Sequence, residues 1–183
     1  MKSIMKLFSP SKKIIENSNL FKFENFILKL YKKKFKNYLS LWEWTNKFPE
    51  KFWLSIFYFF KIEYKVKNKP IVLKKNKYFF KNEFFSNYEI NYFHSIGKNK
   101  SNKLAIHFVG ENNYEEKISY RELNLRVNAL SSYYLSLKIK KGDVVVGYLP
   151  NIADTIIAFL AAAKIGAVWS SCSSDFGSRA VID

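Results

Sequence analysis

Cysteine is nearly absent from this sequence. Cys172 stands alone among 183 residues, so no internal disulfide can form, and neither a CxxC pair nor a Cys/His cluster is available for zinc. Without a neighbouring histidine, Cys172 reads as a small packing residue rather than a nucleophile. The two histidines, His94 and His107, are isolated, and both read as structural. Arginine is scarce as well: Arg121, Arg126 and Arg179 are the only ones among 31 basic residues, although arginine is the side chain favoured for bidentate phosphate and base recognition. No apolar run is long. Residues 52–60 and 156–163 fall far short of the ~20 residues a bilayer requires, and Lys2 and Lys6 lead into Phe8-Ser9-Pro10-Ser11-Lys12-Lys13 rather than an apolar secretory core. These absences argue against a disulfide-stapled secreted domain, a zinc module and a membrane span. The expectation is a cytoplasmic protein with no membrane partner.

What is present is apolar bulk and lysine. A hydrophobic content of 48% is enough for a packed core. The net charge of +16 is carried almost entirely by the first hundred residues: residues 1–100 hold 22 Lys against 7 Glu, whereas residues 101–183 hold 9 basic and 8 acidic residues. Clustered cations gain free energy by releasing counterions from nucleic acid, so one reading is a non-catalytic basic module that binds nucleic acid through residues 1–100. The other is solvated lysine faces, because the excess travels with Asn, Ile, Phe and Tyr and not with arginine.

Residues 8–65 read as mainly helical, with one apolar stripe at Phe21, Ile27, Leu28 and Tyr31 and a second at Phe52, Ile56, Phe59 and Phe60. Pro49 suits the first turn of the second helix. Residues 65–103 read as extended wrapping segments or loops. From Leu104 the pattern sharpens: 104–109 is a strand, 111–113 a turn and 114–118 its hairpin partner. Ser119 with Glu122 forms a capping box for a helix whose apolar positions are Leu123, Val127, Leu130, Tyr134 and Leu137. Residues 140–143 turn the chain. Residues 144–149 form an almost wholly apolar strand of the buried parallel kind, 152–165 a helix, Gly166 its left-handed cap, and 167–171 a second buried strand. This is a βαβ unit. Its right-handed crossover delivers the loops at Pro150-Asn151 and 171–177 to one edge of the sheet, where open α/β sheets bind ligands. The second loop, rich in small hydroxyl residues, is the candidate site, against the alternative that it is a plain polar turn.

Several motifs in order resemble adenylate-forming (AMP-binding) enzymes. They are Ile118-Ser119-Tyr120-Arg121-Glu122-Leu123, then Lys141-Gly142-Asp143-Val144-Val145, then Tyr148-Leu149-Pro150-Asn151, and finally Ala162-Ala163-Lys164-Ile165-Gly166-Ala167-Val168. Trp169-Ser170-Ser171-Cys172-Ser173-Ser174-Asp175-Phe176-Gly177 is similar to the signature of the acetoacetyl-CoA synthetase branch, with Ser174 where proline is expected. Upstream, Pro10-Ser11, Ser18-Asn19-Leu20 with Phe23, Trp42-Glu43-Trp44, Phe52-Trp53 and Asn87-Tyr88 with Asn91 resemble the same branch, so the likeness runs from about residue 8 onward.

The resemblance implies an α/β fold: a mostly helical amino-terminal extension over 1–103, then a β-hairpin and the first βαβ unit of the AMP-binding domain over 104–183, with the domain incomplete. It implies an acetoacetate–CoA ligase using ATP, CoA and Mg²⁺ in the complete enzyme. The phosphate loop with its lysine, the adenosine motifs and the carboxyl-terminal catalytic lysine of such enzymes are not recognisable here. The expectations are therefore a chain inactive alone, with no catalytic or metal-binding residue and no cofactor held tightly, partnered by a separately encoded carboxyl-terminal synthetase fragment. By resemblance to acetyl-CoA synthetases, Ser173, Ser174 and Asp175 lie near the CoA nucleotide. Asp175 cannot attract a phosphate but can accept hydrogen bonds from ribose or adenine. Lys164 and Arg179 receive no catalytic role, and Asp143 is a turn residue. An open strand edge would leave the apolar face of Ile156, Phe159 and Leu160 incompletely covered.

Overall fold

Small polar residues start the first three helices. The computed structural model describes residues 7–182, so Lys2 and Lys6 lie outside the described residues. Helix α1 (Lys12–Asn17) is capped by Ser11 and α2 (Asn19–Tyr31) by Ser18, whose hydroxyl accepts from the Phe21 N–H at 3.1 Å. Helix α3 (Tyr38–Lys47) opens on a reciprocal Asn37/Ser40 capping box, and α4 (Pro49–Phe59) carries Pro49 in its first turn, as expected. After these come β1 (Tyr64–Val66), β2 (Leu73–Lys74), β3 (Glu83–Phe84), β4 (Tyr88–Ile90) and α5 (Tyr92–Gly97). The chain then continues through β5 (Leu104–Val109), β6 (Glu115–Ser119), α6 (Tyr120–Ser136), β7 (Val144–Tyr148), α7 (Ala153–Ile165), β8 (Val168–Cys172) and α8 (Ser178–Ile182).

The chain divides into two compact units. The first, running to Ile62 and including Val66–Tyr88, has an aromatic core. Phe23 and Ile27 of α2 meet Leu41 and Trp44 of α3, with Phe52, Ile56 and Phe59 of α4 packed around them. Phe23 and Phe59 lie edge to face at 5.3 Å, the arrangement the ring quadrupoles favour. The buried stripe of α2 therefore runs through Phe23 and Ile27, not through Phe21 and Leu28. On α4 the stripe residue Phe60 is exposed, whereas Phe57, outside that stripe, is buried. Every described lysine among residues 7–100 is exposed.

In the second unit, built from Glu63–Lys65 and the chain from Glu89 onward, the hairpin forms as the sequence predicts. β5 and β6 pair antiparallel, with Val109 opposite Glu115. The turn between them holds Asn112 and Asn113 at φ 55 and 60, left-handed values that asparagine tolerates. Helix α6 begins at Ser119, whose hydroxyl accepts from the Glu122 N–H at 3.2 Å. The expected box is only half made, because the Glu122 carboxylate instead accepts from Arg126 at 2.5 Å. Leu123 and Val127 of α6 meet Ile157, Leu160 and Ala161 of α7, Ile118 of β6 and Phe93 of α5 in one core.

Residues 65–103 are more structured than expected, since α5 contributes Phe93 to that core. Leu160 is buried at 2%, contrary to expectation, whereas Ile156 remains 42% exposed. β7 and β8 pair in parallel, Val144 with Val168 through Tyr148 with Cys172. The expectation of strands buried on both faces is overturned: Val144 and Val146 are 61% and 66% exposed. Among the described residues two strands form this sheet, and the strand face carrying Trp169 is the one that meets α7, where Phe159 lies 6.4 Å from the indole. Gly166 closes α7 at φ 77, the left-handed position predicted for it.

Candidate functional site

Parallel pairing places the carboxyl ends of β7 and β8 side by side, so residues 149–152 and 173–177 leave the same sheet edge. Each segment is tied down by a side chain of the βαβ unit. Thr155, in the first turn of α7, donates its hydroxyl to the Pro150 carbonyl at 2.7 Å. Tyr148, the last residue of β7, lies within hydrogen-bond distance of the Ser174 carbonyl at 3.0 Å and the Phe176 carbonyl at 2.7 Å.

The loop of Ser173, Ser174 and Asp175 is a closed turn. The Phe176 N–H donates to the Ser173 carbonyl at 3.1 Å. A hydrogen bond from Ser173, aided by one from its own backbone, holds the Asp175 carboxyl below its usual range, so it is an anion at neutral pH. All three residues are exposed. Ser173 and Asp175 are thus brought together, which leaves the Ser174 hydroxyl and the outer lone pairs of Asp175 as the polar groups a ligand would meet. That set fits a nucleoside, through hydroxyl and amino donors, better than a phosphate. Cys172 is half-buried and a free thiol.

The remaining titratable candidates lie elsewhere. Lys164, at the far end of α7, donates to Asn128 at 2.6 Å and to Ser131 at 3.2 Å, a packing role. His107 pairs with Glu115 across the hairpin, and Lys117 together with that histidine holds the Glu115 carboxyl below its usual range. Asp143 accepts from the Lys140 N–H at 2.9 Å, as a turn residue does. Among the described residues no group of three or more His, Cys, Asp or Glu converges to hold a metal ion. No described helix is long and apolar enough to cross a membrane.

A cavity of about 760 Å³ opens at the opposite, amino-terminal edge of the strands, near Lys141, Gly166 and His94. The sequence reading did not anticipate it. Its wall is built by Asn91, whose Oδ1 accepts from the Phe93 N–H at 2.9 Å while its Nδ2 donates to the Ala163 carbonyl at 2.8 Å. Asn87 works similarly in the first unit, accepting from the Ile71 N–H at 3.0 Å and donating to the Lys67 carbonyl at 3.1 Å. The two asparagines of the 87–91 motif are structural ties within their own units, and the cavity beside Asn91 presents no convergent metal-binding set among the described residues. We therefore place the candidate site at the loop edge, where the strand ends and the hydroxyl residues meet, rather than in the larger hollow.

The model of the family described as AMP-binding enzyme matches residues 93–182. The acetoacetyl-CoA synthetase of Xenopus tropicalis is 35% identical over 149 residues, 80% of this chain and 22% of that protein. The acetoacetyl-coenzyme A synthetase of Rhizobium meliloti is 27% identical over 177 residues, 97% of this chain and 27% of that protein. In three dimensions the acetoacetyl-CoA synthetase from Streptomyces lividans superposes with a TM-score of 0.87 at 26% identity, covering 98% of this chain and 28% of that one. The chain thus spans roughly a quarter of the length of the relatives it matches. The likeness follows the same residues that carry the hairpin, the βαβ unit and the hydroxyl-rich loop: over residues 93–182 the chain matches the AMP-binding enzyme family, and along most of its length it is similar to the acetoacetyl-CoA synthetases.

Proposed function

We propose that this chain supplies the amino-terminal part of an acetoacetate–CoA ligase. In that reaction the acetoacetate carboxylate attacks the α-phosphorus of ATP and expels pyrophosphate. The CoA thiol then attacks the acyl carbon, AMP leaves and acetoacetyl-CoA forms. The observation that carries this reading is the likeness to the Streptomyces lividans synthetase across 98% of the chain.

Within the ligase the share of this chain is binding rather than bond-making. Ser174 and Asp175, at the loop edge, contact the ribose or adenine of CoA, with Ser173 holding the Asp175 carboxylate in place. Mg²⁺, when bound in the complete enzyme, neutralises charge on the ATP phosphates. The other groups that act on ATP belong to a further synthetase segment, which would also cover the exposed face of Val144, Val146 and Val168. That segment is the partner of this chain, and the assembly works in the cytoplasm.

The test is complementation. The purified chain is expected to release no pyrophosphate from ATP in the presence of acetoacetate. Co-expressed with the part of the Streptomyces lividans enzyme that it does not match, it is expected to restore acetoacetate-dependent release. The same split made in that enzyme itself serves as the positive control. Turnover by the chain alone, free of contaminating synthetase, would overturn its dependence on a partner. Failure to complement where the control succeeds would overturn the ligase reading.

A further inference from the structure

We propose that Tyr148 is a positioning residue for the 173–176 loop, setting the orientation in which that loop meets its nucleotide ligand; the ligand half of this inference rests on the proposed ligase function. The Tyr148 ring lies at the end of β7, opposite Cys172 in the parallel register, and its hydroxyl reaches two carbonyls of the loop, Ser174 at 3.0 Å and Phe176 at 2.7 Å. A phenol carries one proton, so the nearer Phe176 carbonyl takes the main bond and Ser174 the weaker component of a forked one.

The loop itself is closed internally by the Phe176 N–H to Ser173 carbonyl bond at 3.1 Å. That bond fixes its shape but not its direction. Downstream, a side chain at Gly177 would meet nothing within 4 Å, so the chain has open space at that position. Backbone pairing is fading at the strand end too, where the Leu149 N–H reaches the Cys172 carbonyl at 3.4 Å. The Tyr148 hydroxyl therefore joins a self-contained turn to the rigid sheet. It also occupies two loop carbonyls, so the groups left to face a ligand are the Ser174 hydroxyl and the Asp175 carboxylate.

The experiment compares the full chain with Tyr148→Phe, which keeps the ring and deletes only the hydroxyl. Amide hydrogen exchange followed by mass spectrometry is expected to show residues 173–177 exchanging about five- to tenfold faster in Y148F, the factor one net hydrogen bond is worth, with α6 and α7 unchanged. Trypsin cleavage after Arg179, just beyond the loop, is expected to accelerate in parallel. Unchanged loop exchange and cleavage would overturn the positioning role, and so would a uniform increase across α6 and α7, because the tie would then be only a part of global stability.

A separate arm titrates CoA onto both proteins by equilibrium dialysis. A several-fold weaker affinity in Y148F, at an unchanged thermal midpoint, supports the ligand half. Equal affinity alongside a loosened loop overturns that half and leaves the tie standing. No CoA binding by the unmodified chain counts against the CoA contact itself, and the exchange result still decides the tie.

Discussion

Gly147 and Trp169 occupy each other's space. A Cβ built on Gly147 would lie 2.7 Å from the Cη2 and 2.8 Å from the Cζ2 of the Trp169 indole, inside van der Waals contact. The parallel register sets Val145 beside Trp169 and Gly147 beside Ser171, so the ring leans along the sheet over the vacant glycine position while its other side faces Phe159. The tryptophan that opens the 169–177 signature is therefore seated by a glycine in the neighbouring strand.

Gly147→Ala is expected to destabilise the protein by about 1–3 kcal/mol, the usual cost of overpacking, because the bulky ring must shift against Phe159. Urea denaturation followed by tryptophan fluorescence measures it. An alanine variant as stable as the parent would show that the indole moves aside freely.

Asn91 joins two helices, and two substitutions separate its tasks. Asn91→Ala removes both the cap of α5 and the bond to the Ala163 carbonyl, with an expected loss of about 1–3 kcal/mol. Asn91→Asp retains an acceptor for the Phe93 N–H but loses the donor and places a negative charge beside the carbonyl end of α7. Hydrogen exchange is expected to loosen the last turn of α7 in both variants and the start of α5 in the alanine variant alone. Identical exchange patterns would contradict this division.

The Ser173 to Asp175 bond predicts a pH dependence. Because the folded-state value of Asp175 is lowered, the bond is fully present above the usual carboxylate range and is lost as pH falls through the depressed midpoint. Titration of the Asp175 side-chain carboxyl by NMR is expected to show a midpoint below the usual range, and Ser173→Ala is expected to raise it. A midpoint indifferent to that substitution rules out the bond as its cause.

Nucleic-acid binding is expected to be weak. The described lysines among residues 7–100 are exposed, and arginine is absent from residues 1–100. Filter binding or anisotropy should detect affinity for any duplex at low salt, lost by physiological salt and without sequence preference. Tight, selective binding at physiological salt would revive the basic-module reading of residues 1–100.

Much of the second unit was legible because its signals are local. Ser119 at a helix start, asparagines in a hairpin turn and a glycine after α7 each act on neighbouring residues. The parts that escaped are those decided at a distance. Residues 144–149 are apolar enough for two buried faces, yet apolarity alone does not count the neighbours available to cover them, and Val144 and Val146 stand exposed. Helix α5 is only six residues long and sits among lysines and asparagines, so no period announces it; its cap, Asn91, looks like one more loop asparagine until the Ala163 carbonyl comes beside it. At the candidate site the hydroxyl residues were visible, whereas the Tyr148 tie joins positions too far apart in sequence for any spacing rule.

The contrast between the two strand pairings also orders events in time. β5 and β6 meet across a tight turn, whereas β7 and β8, being parallel, can meet only after the whole of α7 has been threaded between them. Closing that longer loop costs more chain entropy, and non-local parallel pairing is slow. The hairpin and α6 should thus be first to assemble during folding and the β7–β8 pair among the last. Since the turn at 173–176 depends on Tyr148 and Cys172 being in register, ligand competence is a late acquisition of the chain and the first property surrendered on partial unfolding.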